Sequence, residues 1–274
     1  RGQHLRISPT DQPGTLHWTA RYGTETFADV LYGTHNFAIR STTTPAVANN
    51  LARYLHAVRA LQPGFLRGQG ARAHAELEFP LHWGLGSSST LTANLAQWAG
   101  TGPFQLHWRV AKGSGYDIAA ATAPGPLRYR LRGPQQPDFA PIHFAPPFRD
   151  KLFFVYQGQK QHSDVQVKNY LKKPKPSPAL LQRTSEIREA LVATTDFHTF
   201  RRLLAEHETL LGRHLGLPPV QQARFRDFPG TLKSLGAWGG DFMLAACDCP
   251  MHQLKTYFAR HGLHTLIPWD DIVL

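Results

Sequence analysis

Residues 80–91, PLHWGLGSSSTL, place two glycines and three serines between a strand-like and a helix-like stretch. The first N–H groups of a helix have no partners inside it, and the helix dipole adds partial positive charge there. Glycines let those groups come close to a bound anion, and serine hydroxyls add further donors. The stretch predicts a polyphosphate-binding loop, although a glycine turn before a serine-capped helix fits it equally well.

This loop matches neither of two well-known phosphate-binding patterns. No Gly-Lys-Ser/Thr follows the glycines, and Ser89 stands where the third glycine of Gly-x-Gly-x-x-Gly would be. Two other glycine-containing stretches strengthen the phosphate interpretation. KGSGYD, residues 112–117, places Asp117 at the start of a short helix, and KSLGAWGGDF, residues 233–242, places a glycine loop between two strand-like runs.

The order of these three motifs resembles that of the GHMP kinases, a family of ATP-dependent small-molecule kinases. The resemblance implies direct in-line transfer of a phosphoryl group from ATP with Mg²⁺, in which Asp117 accepts or orients the acceptor proton. An aspartate at a helix start can also be only a cap. The resemblance implies that Ser88 is the magnesium ligand, and that ATP is held by Pro80, Gly84, Leu85, Gly86, Ser87, Ser88, Ser89 and Thr90.

The second motif, with the basic strand after it, is similar to the pattern of phosphomevalonate kinases. It predicts a mevalonate or phosphomevalonate type of acceptor. The resemblance implies acceptor contacts from Ser114, Gly115, Ser163, Lys233, Gly236, Ala237, Gly239 and Gly240. Lys233 could balance phosphate charge or be a solvated surface lysine. Lys160 and Lys168 could likewise meet an anionic group or be exposed on a helix.

Three departures from the family pattern favour an alternative function. The family's opening strand motif is missing, so we expect that the chain lacks its natural beginning. No acid lies between Glu78 and Asp117, where mevalonate kinases have a magnesium-binding glutamate, and His107 occupies that neighbourhood. Trp238 replaces a usual glycine of the third motif. The alternative is a catalytically impaired relative that binds nucleotide or a metabolite in a regulatory role.

Composition restricts the remaining functions. The net charge of +11 suggests anionic partners. Because only this charge and no sequence motif indicates nucleic-acid binding, we expect no nucleic acid. No apolar run is long enough for a membrane span, and no signal peptide is evident. Cys247 and Cys249 suit a reducing cytoplasm. With His252 they offer three metal ligands, but a buried strand end is the simpler interpretation. A monomer or homodimer is expected.

The elements needed to position these motifs predict the α+β class. We expect an ATP-binding, β-rich α+β lobe over residues 1–150 without its first strands, a ferredoxin-like α+β lobe over residues 151–274, and an active site between them. Alternating and apolar runs predict strands at 4–7, 15–22, 25–32, 71–79, 127–131, 152–156, 232–235, 242–247 and near 266. Helical spacing and caps predict helices at 45–62, 91–98, 104–112, 116–122, 178–193, 197–215 and 251–260.

Overall fold

The computed structural model describes residues 2–158, 170–236, 238 and 241–273. The chain divides into two compact units. The first comprises Arg1–Leu81 and Leu85–Ile142, and the second comprises His82–Gly84 and His143–Leu274. The sequence places the boundary near residue 150, whereas the first unit ends at Ile142 because the proline-containing run Gln136–Pro141 forms a strand of a hairpin in that unit.

The first unit is built on a five-stranded mixed sheet with the order β1-β5-β2-β3-β4. Its strands are β1 (Gln3–Pro9), β2 (Thr15–Tyr22), β3 (Glu25–Gly33), β4 (Ile39–Thr42) and β5 (Ala71–Leu77). The neighbours β2 and β5 run parallel, and the other neighbours run antiparallel. A parallel pair requires a crossover, which here contains β3, β4 and helix α1 (Pro45–Leu61).

One face of this sheet forms the core of the first unit. Every second residue of β2 points inward, which buries Leu16, Trp18 and Ala20. Helix α1 begins with Pro45 at its first position, where the missing N–H costs nothing, and it buries an apolar stripe containing Leu51 and Leu55. Helix α2 (Ser87–Ala99), α3 (Pro103–Val110), α4 (Tyr116–Thr122) and the hairpin of β6 (Leu127–Gly133) with β7 (Gln136–Pro141) complete this unit.

The second unit has a four-stranded antiparallel sheet with the order β11-β8-β10-β9. Its elements are β8 (Leu152–Tyr156), α5 (Pro178–Ala193), α6 (Phe197–Leu215), α7 (Val220–Arg224), β9 (Thr231–Ser234), β10 (Phe242–Ala246), α8 (Met251–Arg260) and β11 (Leu266–Pro268). The strand succession and order are those of the β-α-β-β-α-β motif of ferredoxin-like folds. Alternate residues of β8 and β10 enter two separate apolar clusters, so helices α6 and α8 pack on opposite faces.

The predicted α+β class is confirmed, but three elements are missed by the sequence patterns. They are the strands Ile39–Thr42 and Gln136–Pro141 and the short helix Val220–Arg224. The two cysteines form a disulfide, Cys247–Cys249, that the sequence did not suggest. Among the described residues, no helix combines the length and apolar composition that a bilayer crossing requires.

Candidate active site

The glycine-serine loop ends in a left-handed residue that starts helix α2. Gly86 has φ 83° and is the N-cap of α2, and its carbonyl accepts hydrogen bonds from the N–H groups of Ser89 and Thr90 at 2.9 and 3.0 Å. Residues with a side chain rarely adopt this backbone conformation, which accounts for glycine at position 86. The turn leaves the N–H groups at the very start of α2 outside the helical ladder, as an anion site requires.

The hydroxyls of this loop face different surroundings. Ser89 is buried, whereas Ser88 is exposed and Ser87 is half-buried, and both of these line a cavity. The Thr90 hydroxyl donates a 2.7 Å hydrogen bond to Oε1 of Gln3 on β1. Thr90 therefore ties α2 to the sheet, and Ser87 and Ser88 are the hydroxyls that a ligand can reach.

Asp117 lies beside this loop. Its Oδ2 accepts a 2.7 Å hydrogen bond from the hydroxyl of Ser89, which is 28 residues away in the chain. Helix α4 is capped by Gly115, with φ 81°, and has no side-chain cap hydrogen bond. The carboxylate is half-buried and held by the first motif, so the capping interpretation of Asp117 has no support in the geometry.

The loop before Asp117 is packed against aromatic residues. Gly115 is buried, and a Cβ there would lie 3.0 Å from a ring carbon of Phe104. The Ser114 carbonyl accepts a hydrogen bond from the hydroxyl of Tyr129 on β6. These contacts keep the Ser114 and Gly115 backbone in place, and the close approach of Phe104 accounts for glycine at position 115 without a ligand.

His107 is a buried imidazole in the same neighbourhood. The residue is only 7% exposed, and its Nε2 has no hydrogen-bond partner. Burial lowers the pKa of His107, although the nearby Asp117 charge acts in the opposite direction. At neutral pH the imidazole is therefore uncharged, and it does not supply the negative charge of the missing glutamate.

An apolar cavity of about 320 Å³ adjoins the exposed serines within the first unit. Its walls come from β2, β3, β5 and α1, and they include the aromatic side chains of Trp18 and Phe27. Polar groups enter from Gln3, Asn50, Ser87 and Ser88. An apolar pocket with a few polar groups is the usual form of a small-molecule site.

The structure requires a glycine at position 84 whether or not a ligand binds. Its φ is 70°, and a Cβ there would lie 2.4 Å from Oδ1 of Asp241. A carboxylate beside Gly84 also disfavours an anion at that residue. Gly86 and the start of α2 therefore suit a phosphate better than Gly84 does. Leu85 and Pro80 are half-buried residues on either side of the turn.

Lys233 is paired inside the second unit. Its Nζ lies 3.3 Å from Oε2 of Glu208, and its side chain is 13% exposed, so the solvated-lysine alternative is wrong. Glu208 also accepts a 2.7 Å hydrogen bond from the hydroxyl of Ser234. Burial lowers the pKa of Lys233, and Glu208 opposes that shift. This pairing gives Lys233 a structural role that needs no phosphate.

The third glycine motif is described only in part. Gly236 is exposed, and Trp238 packs near Gly212 of α6, where a Cβ would lie 3.4 Å from its ring. The remaining predicted residues lie outside the described residues: Lys160, Ser163, Lys168, Ala237, Gly239 and Gly240. Among the residues that the structure describes, no group of three His, Cys, Asp or Glu side chains could hold a metal ion.

Known proteins resemble this chain in three-dimensional structure rather than in sequence. No family model matches the chain, and a search of curated proteins finds no match. Among solved structures, the mevalonate kinase of Methanococcus jannaschii is 14% identical, with a TM-score of 0.67 over 97% of this chain and 87% of that one. The phosphomevalonate kinase of Streptococcus pneumoniae, in complex with phosphomevalonate and AMPPNP, is 16% identical, with a TM-score of 0.63 over 96% and 89%.

A third structure, a protein of Listeria innocua, has 14% identity and a TM-score of 0.69 over 97% of this chain and 87% of that one. A homoserine kinase of Cytophaga hutchinsonii also matches, with a TM-score of 0.51. Both units contribute to these matches, because nearly the whole chain is covered. The chain has the fold of the GHMP kinases.

Proposed function

We propose that this protein is a GHMP-type kinase that transfers the γ-phosphoryl group of ATP to a small metabolite. The observation that carries the proposal is the 2.7 Å hydrogen bond between Ser89 and Asp117. It holds the Asp117 carboxylate beside the serines that open helix α2, within the first unit of a fold shared with mevalonate and phosphomevalonate kinases.

The loop and the cavity beside it suit the two ends of a nucleotide. The N–H groups after Gly86 and the hydroxyls of Ser87 and Ser88 are placed to bind phosphate oxygens. The apolar cavity that these serines line has room for a planar base between aliphatic and aromatic walls.

The glycine-serine loop offers one suitable protein ligand for magnesium, the hydroxyl of Ser88. The exposed Ser88 hydroxyl is a hard oxygen ligand, and Mg²⁺ commonly binds few protein groups together with phosphate oxygens and water. When bound, the ion would neutralise phosphate charge. We propose Ser88 as its ligand.

Asp117 performs the remaining chemistry. Phosphoryl transfer needs little covalent help, so alignment of the acceptor oxygen is the main task of the protein. In this proposal Asp117 accepts a hydrogen bond from an acceptor hydroxyl and takes its proton as the oxygen bonds to the γ-phosphorus. The bond from that phosphorus to the β,γ-bridging oxygen breaks at the same time, and ADP leaves. A phosphate acceptor is already ionised near neutral pH and attacks without giving up a proton. Ser89 holds the carboxylate in the orientation needed for that contact.

The acceptor proposed is of the mevalonate or phosphomevalonate type. Support comes from the second motif and from the fold shared with the Streptococcus pneumoniae enzyme. The second candidate function is a nucleotide- or metabolite-binding regulator without catalysis. One observation that favours it is the uncharged imidazole of His107 in the region where mevalonate kinases have a magnesium-binding glutamate. The other is the packing of Trp238, which replaces a usual glycine, against α6.

Turnover of Mg²⁺–ATP with a panel of small alcohols and phosphomonoesters, including mevalonate and phosphomevalonate, separates the two candidates. Asp117→Asn should lower kcat by about a hundredfold or more, as expected for loss of a general base, while nucleotide binding stays. Asp196→Asn is the matched control, because Asp196 is a helix N-cap in the second unit. Full activity in Asp117→Asn would refute the catalytic role, and nucleotide binding without any turnover would favour the regulator.

A further inference from the structure

The three residues before Leu85 are anchored by side chains of the second unit. The Tyr156 hydroxyl, at the end of β8, donates a 2.9 Å hydrogen bond to the carbonyl of His82. The ring of Trp83 packs edge-on against Phe242, the first residue of β10, with centroids 5.7 Å apart. The chain therefore enters the glycine turn from a segment that two neighbouring strands hold in place.

The carboxylate of Asp241 lies beside Gly84 in the same segment. Its two carboxylate oxygens lie 2.4 and 3.0 Å from the position that a Cβ on Gly84 would take. The carboxylate thus fills the space of the side chain that Gly84 lacks. Its negative charge also lies near Tyr156, where it helps burial to raise the pKa of that phenol.

The backbone of Asp241 is itself unusual. Its φ is 49°, in the left-handed region that residues other than glycine seldom adopt. Such a conformation persists only where surrounding contacts impose it, and it is concentrated at functional sites. Here the Asp241 carbonyl accepts a 2.7 Å hydrogen bond from the N–H of Gln157, just after β8. The strained residue is fixed by the sheet end and aims its carboxylate at Gly84.

We propose that Asp241 is a positioning residue for the phosphate-binding turn. Its carboxylate restricts Gly84, and the chain carries this restraint through Leu85 to Gly86, where the amides of α2 begin. A turn fixed in advance loses less conformational entropy when it binds an anion. The effect on nucleotide affinity rests on the proposed function, whereas the restraint on the turn does not.

In this proposal the shape of the Asp241 side chain, rather than its charge, restrains Gly84, and two substitutions separate these contributions. Asp241→Asn keeps all heavy atoms in place, and asparagine tolerates the left-handed backbone at least as well as aspartate. Asp241→Ala removes the atoms that face Gly84. If the carboxylate acted only by its charge, both variants would lose its repulsion of the phosphates. Both would then bind AMPPNP more tightly than the wild type.

The experiment uses the full 274-residue chain. Hydrogen exchange of the peptide covering residues 84–90 is measured without ligand, and Mg²⁺–AMPPNP binding is measured by titration calorimetry. Asp241→Ala should exchange faster over this peptide and bind AMPPNP about tenfold more weakly, a loss of about 1.4 kcal/mol. Asp241→Asn should match the wild type in exchange and should bind AMPPNP at least as tightly, because a carboxylate beside Gly84 disfavours an anion there. The melting temperature should not fall in Asp241→Asn or in Asp241→Gly, whereas alanine carries its own cost in a left-handed backbone.

Gln135→Gly is the matched control. Gln135 also has a left-handed backbone, with φ 56°, and it lies in the exposed turn between β6 and β7. Its substitution and Asp241→Gly both relieve left-handed strain, but only Asp241→Gly should loosen the turn and weaken AMPPNP binding.

Unchanged exchange in Asp241→Ala would overturn the proposal, as would equal losses in Asp241→Asn and Asp241→Ala. A fall in the melting temperature of Asp241→Gly that parallels its loss of affinity would overturn it too, because a general structural role would then suffice. Absence of AMPPNP binding in the wild type would refute the proposed function instead, and exchange over residues 84–90 would still decide the role of Asp241.

Discussion

Two neighbouring serines of the loop, Ser88 and Ser89, should give different phenotypes when substituted, and Ser89 provides the sharper test. Its hydroxyl is buried and donates a 2.7 Å hydrogen bond to Asp117, whereas Ser87 and Ser88 line the cavity and contact no carboxylate in the described residues. Ser89→Ala removes the group that orients Asp117 and leaves the cavity walls unchanged. We expect it to reduce kcat with little change in the KM for ATP.

The size of this effect follows from the hydrogen bond. Bonds to charged groups contribute about 1.5–3 kcal/mol. Asp117 is half-buried, so water can replace part of the lost interaction, and the lower end of that range applies. A loss of about 1.4 kcal/mol at the transition state corresponds to a tenfold reduction in rate. Ser88→Ala should instead raise the KM for Mg²⁺–ATP, because it removes the proposed magnesium ligand.

The assay is steady-state phosphoryl transfer by the full chain, with mevalonate and phosphomevalonate as acceptors and intrinsic ATP hydrolysis as a reference. Ser185→Ala is the control, because the Ser185 hydroxyl donates to a backbone carbonyl within helix α5 and is exposed. If Ser89→Ala leaves kcat at the wild-type value, or if Ser88→Ala lowers kcat in the same way, the division of roles between the two hydroxyls is wrong.

Other predictions concern stability. Gly84→Ala should destabilise the fold in urea more than Gly100→Ala does, by about 1–3 kcal/mol for overpacking, because both glycines have positive φ but only Gly84 faces a carboxylate; equal losses would contradict this. Glu208→Gln should cost about 3–5 kcal/mol, since it leaves the buried ammonium of Lys233 without its counter-charge, and a midpoint unchanged in urea would refute it. Burial, with a contribution from Lys233, lowers the pKa of His207 from 6.5 to about 4, so the unfolded chain binds a proton that the folded chain refuses. Stability should fall from pH 6.5 towards pH 4, and a melting-temperature profile of His207→Gln that remains as steep would rule this out.

The sequence was sufficient where local patterns are strong. The helix Tyr116–Thr122 lies between Gly115 and Pro124, and the helix Pro178–Ala193 begins at a proline that follows its N-cap Ser177. The strands Ile39–Thr42 and Gln136–Pro141 were missed, because they are short and the second contains prolines at both ends of its apolar segment. They become strands by pairing with β3 and β6, and such pairing is not encoded in the local pattern.

The candidate site also depends on tertiary contacts that the local sequence pattern does not encode. The motifs identified Ser89 and Asp117 separately, but their hydrogen bond depends on the packing of α2 against α4. The buried pair of Lys233 with Glu208 was not foreseen, since a glutamate within an amphipathic helix normally indicates a solvated face. Its burial is visible only once β9 lies against α6, where Ser234 and Lys233 both reach the carboxylate.

The two glycines of the first motif satisfy different physical requirements, which decides how the motif can be used as evidence. Gly86 is required by a left-handed backbone at the start of α2, where a Cβ would meet only ordinary contacts. Gly84 also has a left-handed backbone, with φ 70°, and in addition the protein's own Asp241 occupies its side-chain position. Neither requirement involves a phosphate, so variants of the glycines would lose activity whatever the loop binds. The inference of a kinase therefore depends on the Ser89–Asp117 pair, and substitutions of that pair are the ones that can refute it.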